Sequence, residues 1–163
     1  MKIKIGKYPA HRWYHNALYK WFGYSPEQSV KVHIDPWDTW SMDETLSPII
    51  LPMLKQLKET KHAAPWVTVE DVPTHLRPTA EEVLEYTKDY TTDEQFFARW
   101  DWVLDEMIHA FEQKCTDNNW TAQFCTKTTD VCDQYDFEGI KKERERISNG
   151  FRLFGKYYEN LWD

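Results

Sequence analysis

Hydrophobic and polar residues alternate twice near the start of the chain. Lys2-Ile3-Lys4-Ile5 has the two-residue period of a half-buried strand, and Val30-Lys31-Val32-His33-Ile34 repeats it with Val30, Val32 and Ile34 on one face. Gly6 and Asp35-Pro36 close these runs. Between them, from His11 to Phe22, Trp13, Ala17, Leu18 and Trp21 recur at helical spacing. The pattern predicts strand, short helix, strand, with the two strands paired.

The period then becomes helical. Ser41-Met42-Asp43-Glu44 reads as a capping box, and Met42, Leu46, Ile49, Ile50, Met53, Leu54 and Leu57 fall on one face. Pro48 and Pro52 each remove an amide donor, which predicts a kink or restart near Ser47. The helix stops by Lys61. Residues 62–78 carry Pro65, Pro73 and Pro78 and no period, so a long ordered loop with one short turn at Val69 to Val72 is expected. Thr79-x-x-Glu82 caps a short helix to about Lys88. The clearest helix runs from Asp93 to Lys114 on Phe96, Trp100, Val103, Leu104, Met107 and Phe111. Residues 115–136 read as a polar loop with Trp120 and Phe124 placed to pin it to the core. The last helix spans Phe137 to Leu161 on a seam of Ile140, Ile147, Phe151, Phe154, Tyr158 and Leu161. Gly150 and Gly155 lie inside it, which points to close approach of a neighbouring element. The tail from Tyr157 to Trp162 is expected to dock. The fold class is therefore α+β: mainly helical, about four helices, with a small two- or three-stranded N-terminal sheet.

Length and composition narrow this further. The 163 residues fit a single domain, 1–163. Apolar residues make up 41% and charged residues 29%, which excludes a disordered polyanion. With no run of 18 apolar residues and no charged-then-apolar leader at Met1, neither a membrane span nor a secretory signal is expected. Twenty Lys+Arg against 27 Asp+Glu give a net charge of −7, which argues against general nucleic-acid binding. Aromatic residues are abundant, with 9 Trp, 9 Tyr and 8 Phe against 5 Gly. Core filling accounts for most of them. A ligand cleft or partner surface is the sharper use, since Trp, Tyr and Arg concentrate binding energy. Cys115, Cys125 and Cys132 form an odd set without a CxxC pair, so reduced thiols are expected.

No dinucleotide, phosphate-loop, serine-hydrolase, zinc-protease or EF-hand motif occurs. Glu59-x-x-His62 and Glu106-x-x-His109 have di-metal spacing. However, His109 points away from the apolar stripe and the first pair sits at a helix end, so exposed ion pairing is the expected use. Asp35, Asp38 and Asp43 suit either a divalent cation or turn and helix caps, and capping is favoured. No catalytic set, metal or cofactor is expected. The remaining cluster is His11, Arg12, Trp13, Tyr14, His15, Tyr19, Trp21 and Tyr24. It reads either as an amphipathic helix packed on the sheet or as a guanidinium among rings, which is how flat anionic ligands are held. Trp37 and Trp40 at the mouth of an element, and His75 and Arg77 in the proline-rich loop, complete the candidate ligand contacts with Arg12 and Trp13.

Four stretches resemble a family of uncharacterised tailed-bacteriophage proteins, and together the likeness spans about residues 30 to 163. They are Asp38-Thr39-Trp40-Ser41-Met42-Asp43-Glu44-Thr45-Leu46; Pro52-Met53-Leu54-Lys55-Gln56-Leu57-Lys58; Trp102-Val103-Leu104-Asp105-Glu106-Met107-Ile108; and Arg146-Ile147-Ser148-Asn149-Gly150-Phe151-Arg152-Leu153-Phe154-Gly155-Lys156-Tyr157-Tyr158. The resemblance implies a viral origin and action in the cytoplasm of an infected bacterium. It carries no catalytic residue or cofactor with it. By analogy with small phage accessory proteins, the expected function is non-enzymatic. The protein binds and sequesters a small nucleotide-type ligand or a host defence protein, countering host antiviral defence, with a homodimer as a further expectation. Inhibition of a host enzyme through an acidic surface, and a minor virion or assembly role, are the alternatives.

Overall fold

A computed structural model describes residues 1–6, 12–24, 27–116, 119–127 and 132–162; of residues 119, 120, 127, 132 and 133 the backbone alone is described. The chain divides into two compact units, Met1–Thr45 and Leu46–Asp163. The fold is α+β and mainly helical, as the sequence patterns predict, with five helices and two small antiparallel sheets among the described residues. No described helix is long and apolar enough to cross a membrane.

In the first unit, β1 (Lys2–Ile5) pairs antiparallel with β2 (Val30–His33), and α1 (Trp13–Phe22) lies between them in sequence. Ile3 stands opposite Val32 and Ile5 opposite Val30. These four therefore share one face, and Lys2, Lys4, Lys31 and His33 share the other. Gly23, in the left-handed region at φ 64°, ends α1 by donating to the Tyr19 carbonyl. A 3-10 turn, Pro36–Thr39, follows β2. Asp35 and Asp38 cap it reciprocally: Asp35 Oδ1 accepts from the Trp37 amide at 3.2 Å and Asp38 Oδ2 from the Asp35 amide at 2.7 Å. Asp38 also accepts from the Met1 ammonium at 2.6 Å. That contact above all holds its carboxyl below the usual range. Capping is thus what these aspartates do. No group of three metal-ligating side chains occurs among the described residues.

α2 (Met42–Thr60) begins in the last residues of the first unit and runs without a break through Pro48 and Pro52, so the expected restart at Ser47 does not occur. In the second unit, the centre is α4 (Phe96–Cys115), whose Trp100, Val103, Leu104 and Met107 are fully buried. Leu54 of α2 and Leu153 and Tyr157 near the end of α5 (Phe137–Lys156) close on it. Val67 and Val72 from the proline-rich segment complete the core. That segment forms two 3-10 turns, Val69–Asp71 and Thr74–Leu76. α3 (Ala80–Asp89) carries the predicted capping box: Thr79 Oγ1 accepts from the Glu82 amide and Glu82 from the Thr79 amide. The 115–136 stretch departs from the expected loop. It contains a 3-10 turn, Asn119–Phe124, and a hairpin of β3 (Cys125–Lys127) and β4 (Cys132–Tyr135). Cys125 is disulfide-bonded on this hairpin, against the reduced state expected, while Cys115 is a free thiol. Strand pairing in so polar a stretch leaves no apolar period from which the hairpin could be read. The expected pinning by the Trp120 side chain lies outside the described residues.

Ion pairs and one glycine set the helix seams. α2 and α4 run antiparallel, with Lys55 on Glu112, Lys58 on Asp105 and Lys61 on Asp101 at 2.5–2.6 Å. Across the α4–α5 seam, Arg146 holds Glu106 with three bonds of 2.7–3.1 Å, and His109 meets Glu143 at 2.6 Å. The Glu106-x-x-His109 spacing is therefore an ion-pairing one, as expected. Glu106 is buried rather than exposed, because α5 covers it. A Cβ on Gly150 would collide with the Glu106 carbonyl oxygen and the Ala110 methyl, so the bare helix surface is what allows this approach. Gly155 has open space instead. The α5 seam runs deeper through Leu153 and Tyr157 than the sequence pattern suggests, and Tyr158 is exposed.

Asp71 ties the proline-rich segment to α5. Its buried carboxylate accepts from Arg152 at 2.7 Å, Lys156 at 2.5 Å and the Tyr157 hydroxyl at 2.8 Å. Burial pushes the Asp71 carboxyl up, but the bonds from Lys156, Tyr157 and Arg152 outweigh it and hold it below the ordinary value. Burial raises the Tyr157 phenol.

Two predictions follow from these contacts. A carboxyl with a lowered folded-state pKa contributes stability that is complete above the unfolded value of about 4 and is lost as pH falls through the folded value. Urea unfolding of the wild type should weaken below about pH 4, and Asp71→Ala should remove about 3 kcal/mol at neutral pH together with part of that acid slope. The two glycines should respond with opposite signs. Gly150→Ala should destabilise by about 2 kcal/mol through overpacking, whereas Gly155→Ala should stabilise by up to about 1 kcal/mol through helix propensity. Thermal midpoints moving in the same direction would contradict that assignment.

Candidate functional site

The predicted contact residues fall in both units. In the first, Arg12 precedes α1, its amide donating to His15 Nδ1 at 3.0 Å while its side chain is exposed. Trp13 is 85% exposed and meets Tyr14 edge-on at 6.0 Å. Trp37 and Trp40 are brought together by the 3-10 turn, their rings 5.9 Å apart and tilted by 39°. In the second unit, His75 is exposed, and the Arg77 guanidinium donates to the Val72 carbonyl at 3.3 Å. His11 lies outside the described residues. α1 does not pack its rings inward: His15 is its buried residue, and Trp13, Tyr14, Tyr19, Trp21 and Phe22 are exposed. The packed amphipathic helix is therefore not what forms.

A cavity of about 370 Å³ occurs elsewhere, at the start of α5, and none of those six residues lines it. Its walls are Thr121 from the 3-10 turn, Tyr135 from β4, and Phe137, Ile140, Lys141 and Arg144 from α5. The helix positions step by three, one and three, so they form one face of its first two turns. Asp136 starts the helix by accepting from the Gly139 amide at 2.9 Å. Its own amide donates to the Phe124 carbonyl at 2.8 Å, tying the end of β4 to the end of the 3-10 turn. Gly139 lets the Phe124 ring lie against the helix, since a Cβ there would overlap the ring at 2.7 Å. These contacts fix the hairpin over α5 and so shape the cavity.

The lining combines two aromatic rings, Tyr135 and Phe137, with two cations, Lys141 and Arg144. The Tyr135 and Phe137 rings lie 6.2 Å apart and are 43% and 76% exposed, leaving the mouth open. Lys142, on the adjoining face, pairs with Glu138 at 3.7 Å. Lys141 and Arg144 have no ion-pair partner among the described residues. Two cations one turn apart, unpaired among the described residues and near a helix N-terminus, attract an anion, and the rings offer a stacking surface. The 3-1-3 recurrence of Phe137, Ile140, Lys141 and Arg144 was the available sequence signal. It was obscured because the hairpin facing it has no apolar period. No protein-family model, no curated protein and no solved structure matches the chain.

Proposed function

We propose that the protein binds and sequesters a small nucleotide-type ligand in the cavity of Tyr135, Phe137, Lys141 and Arg144, without reacting it. The observation that carries this reading is the pair of cations, unpaired among the described residues, that lines the cavity together with two exposed rings. A nucleotide has the matching parts: a base that stacks on the rings, and a phosphate that the guanidinium grips through two bonds while the ammonium acts as a point charge. The volume falls in the range of small-molecule sites and suits a mononucleotide. A host protein, the other candidate target, presents a surface rather than a group of this size. With the resemblance to tailed-bacteriophage proteins, the reading becomes a phage accessory protein that withdraws a signalling nucleotide from host antiviral defence in the bacterial cytoplasm.

Calorimetric titration with a panel of linear and cyclic mononucleotides tests the site. At least one should bind saturably, and its unphosphorylated nucleoside should bind far more weakly. Arg144→Ala or Lys141→Ala should each weaken binding by about 10- to 100-fold, the size of a lost charge-assisted hydrogen bond. Phe137→Ala should lower affinity with little change in salt dependence, since the phosphate contacts remain. Absence of heat from every nucleotide, or binding indifferent to Lys141 and Arg144, would remove this reading.

A further inference from the structure

Two parts of the chain that differ in rigidity build the cavity. Its α5 residues stand on a helix fixed against α4 by the close approach at Gly150 and by the Arg146–Glu106 pair. Its other lining residues, Thr121 and Tyr135, come from the 3-10 turn and from β4. The hairpin that follows the turn is short. β3 has three residues and β4 four, and the register slips between Thr126 and Lys127. A two-stranded hairpin of this size is marginal in water. Its ties to α5 include the Asp136 amide on the Phe124 carbonyl and the Phe124 ring against Gly139.

A covalent bond falls in this weaker part. Cys125 opens β3 and is disulfide-bonded. The chain holds three cysteines and Cys115 is a free thiol, so by elimination the bond joins β3 to β4, the strand that begins at Cys132. In the antiparallel register Cys125 stands directly opposite Tyr135, which puts their side chains on one face of the hairpin. Thr121 lies four residues upstream of Cys125. The bond thus clamps the strand pair from which the cavity takes its lining outside α5. A cross-link of this kind acts by removing open conformations of the segment that it closes. Cys125 is half-buried, which leaves it within reach of a thiol.

We propose that this disulfide is a redox latch on the ligand cavity: oxidised, it holds Tyr135 and Thr121 in place, and its reduction loosens them and releases ligand. The inference rests on the reading of the α5 cavity as a nucleotide site. The reductant is a dithiol. One of its thiolates attacks a sulfur of the disulfide, the S–S bond breaks and a mixed disulfide forms, which the second thiolate then resolves. Two electrons and two protons pass to the hairpin, leaving two thiols, and the dithiol becomes a disulfide. Exchange with an oxidised disulfide of the thiol pool reverses the step. Lys141 and Arg144 are untouched by it, so the attraction for phosphate persists and the contact with the Tyr135 ring is what is lost. A disulfide that does form in a reducing cytoplasm is ordinarily transient, catalytic or redox-sensing, and this one borders no catalytic set. Capture is then strongest while the thiol pool is oxidised.

Calorimetric titration of the full chain, oxidised and in dithiothreitol, tests the latch with linear and cyclic mononucleotides of adenine, guanine, cytosine and uracil. Amide exchange of the hairpin is followed in parallel. The tightest ligand of the oxidised chain should bind about tenfold more weakly to the reduced one, the size of a lost base–ring contact. Exchange across Cys125–Lys127 should quicken on reduction while α4 stays protected. Cys125→Ser should bind at the reduced level with or without dithiothreitol, and its helical circular dichroism should persist because the bond lies outside the core. Cys115→Ser should keep the full response, since Cys115 is exposed and unbonded. Equal affinity in the oxidised and reduced states overturns the latch and leaves the nucleotide site standing. Hairpin exchange that reduction does not change overturns it as well. Quickened exchange with no nucleotide bound in either state supports the latch on the cavity wall and removes the nucleotide reading.

Discussion

Asp71 places a negative charge among apolar side chains, and much of the second unit is arranged around keeping it satisfied. Its segment contributes Val67 and Val72 to the core but lacks the repeating backbone bonds of a helix or sheet. Three donors from the last turns of α5 settle where the segment lies. Tyr157 links the most elements. Its hydroxyl donates to Asp71 and accepts from the Thr68 amide at 2.9 Å, while its ring meets Trp100 of α4 edge-on at 5.7 Å. One side chain thus joins segment, α5 and α4. A buried carboxylate is unforgiving: losing a donor leaves charge without compensation, which costs more than the intact pair contributes. The end of α5 is therefore fixed by electrostatics and its middle by sterics at Gly150. The cavity sits at its start.

That division lets one helix serve two purposes. Arg146 faces α4 and neutralises the buried Glu106, an interaction that raises its own pKa. Arg144, two residues earlier and so about 200° round the helix, lines the cavity without an ion-pair partner among the described residues. Opposite faces of one turn thus carry one guanidinium used in packing and one that no described residue pairs. The same contrast separates Arg99, buried with Asp93 and the Leu76 carbonyl, from the exposed Arg12. Arginine count alone says nothing about binding; what matters is which guanidinium the fold leaves unmatched.

Sequence pattern read the fold well wherever a periodic run made its own hydrogen bonds. The β1–β2 pairing, the capped α3 and the α4 stripe are all legible because local period and burial coincide. Gly150 was legible too, since a glycine in a helix interior needs a close neighbour to offset its entropy. Failures occur where tertiary contact overrides local preference. α2 tolerates Pro48 and Pro52 because the rest of the helix remains packed and paired with α4. The Glu106–His109 pair reads as exposed from the phase of His109 on one helix, yet α5 covers Glu106. The β3–β4 hairpin is too short and polar to show a period, so the cavity it roofs is missed along with it. The predicted contacts followed the density of rings, whereas the cavity needed only two rings and two cations.

Aromatic abundance has two separate causes in this chain. In the second unit rings fill space: Tyr86 stacks on Trp66 at 4.2 Å and on Phe96 at 5.7 Å, and Phe111 sits edge-on to Phe151 and Phe154. In the first unit rings lie outside, and the sheet and helix that carry them enclose little. A composition average merges the two and suggests a single aromatic pocket. The uncovered rings of the first unit share one guanidinium, that of Arg12, among many apolar groups. Such a ratio does not suit phosphate recognition, which draws on paired cations. The α5 cavity is lined by two cations and two rings, the combination on which the proposed nucleotide site draws. The proposed ligand capture therefore rests on the balance of charge to ring at the α5 cavity rather than on the number of rings in the chain.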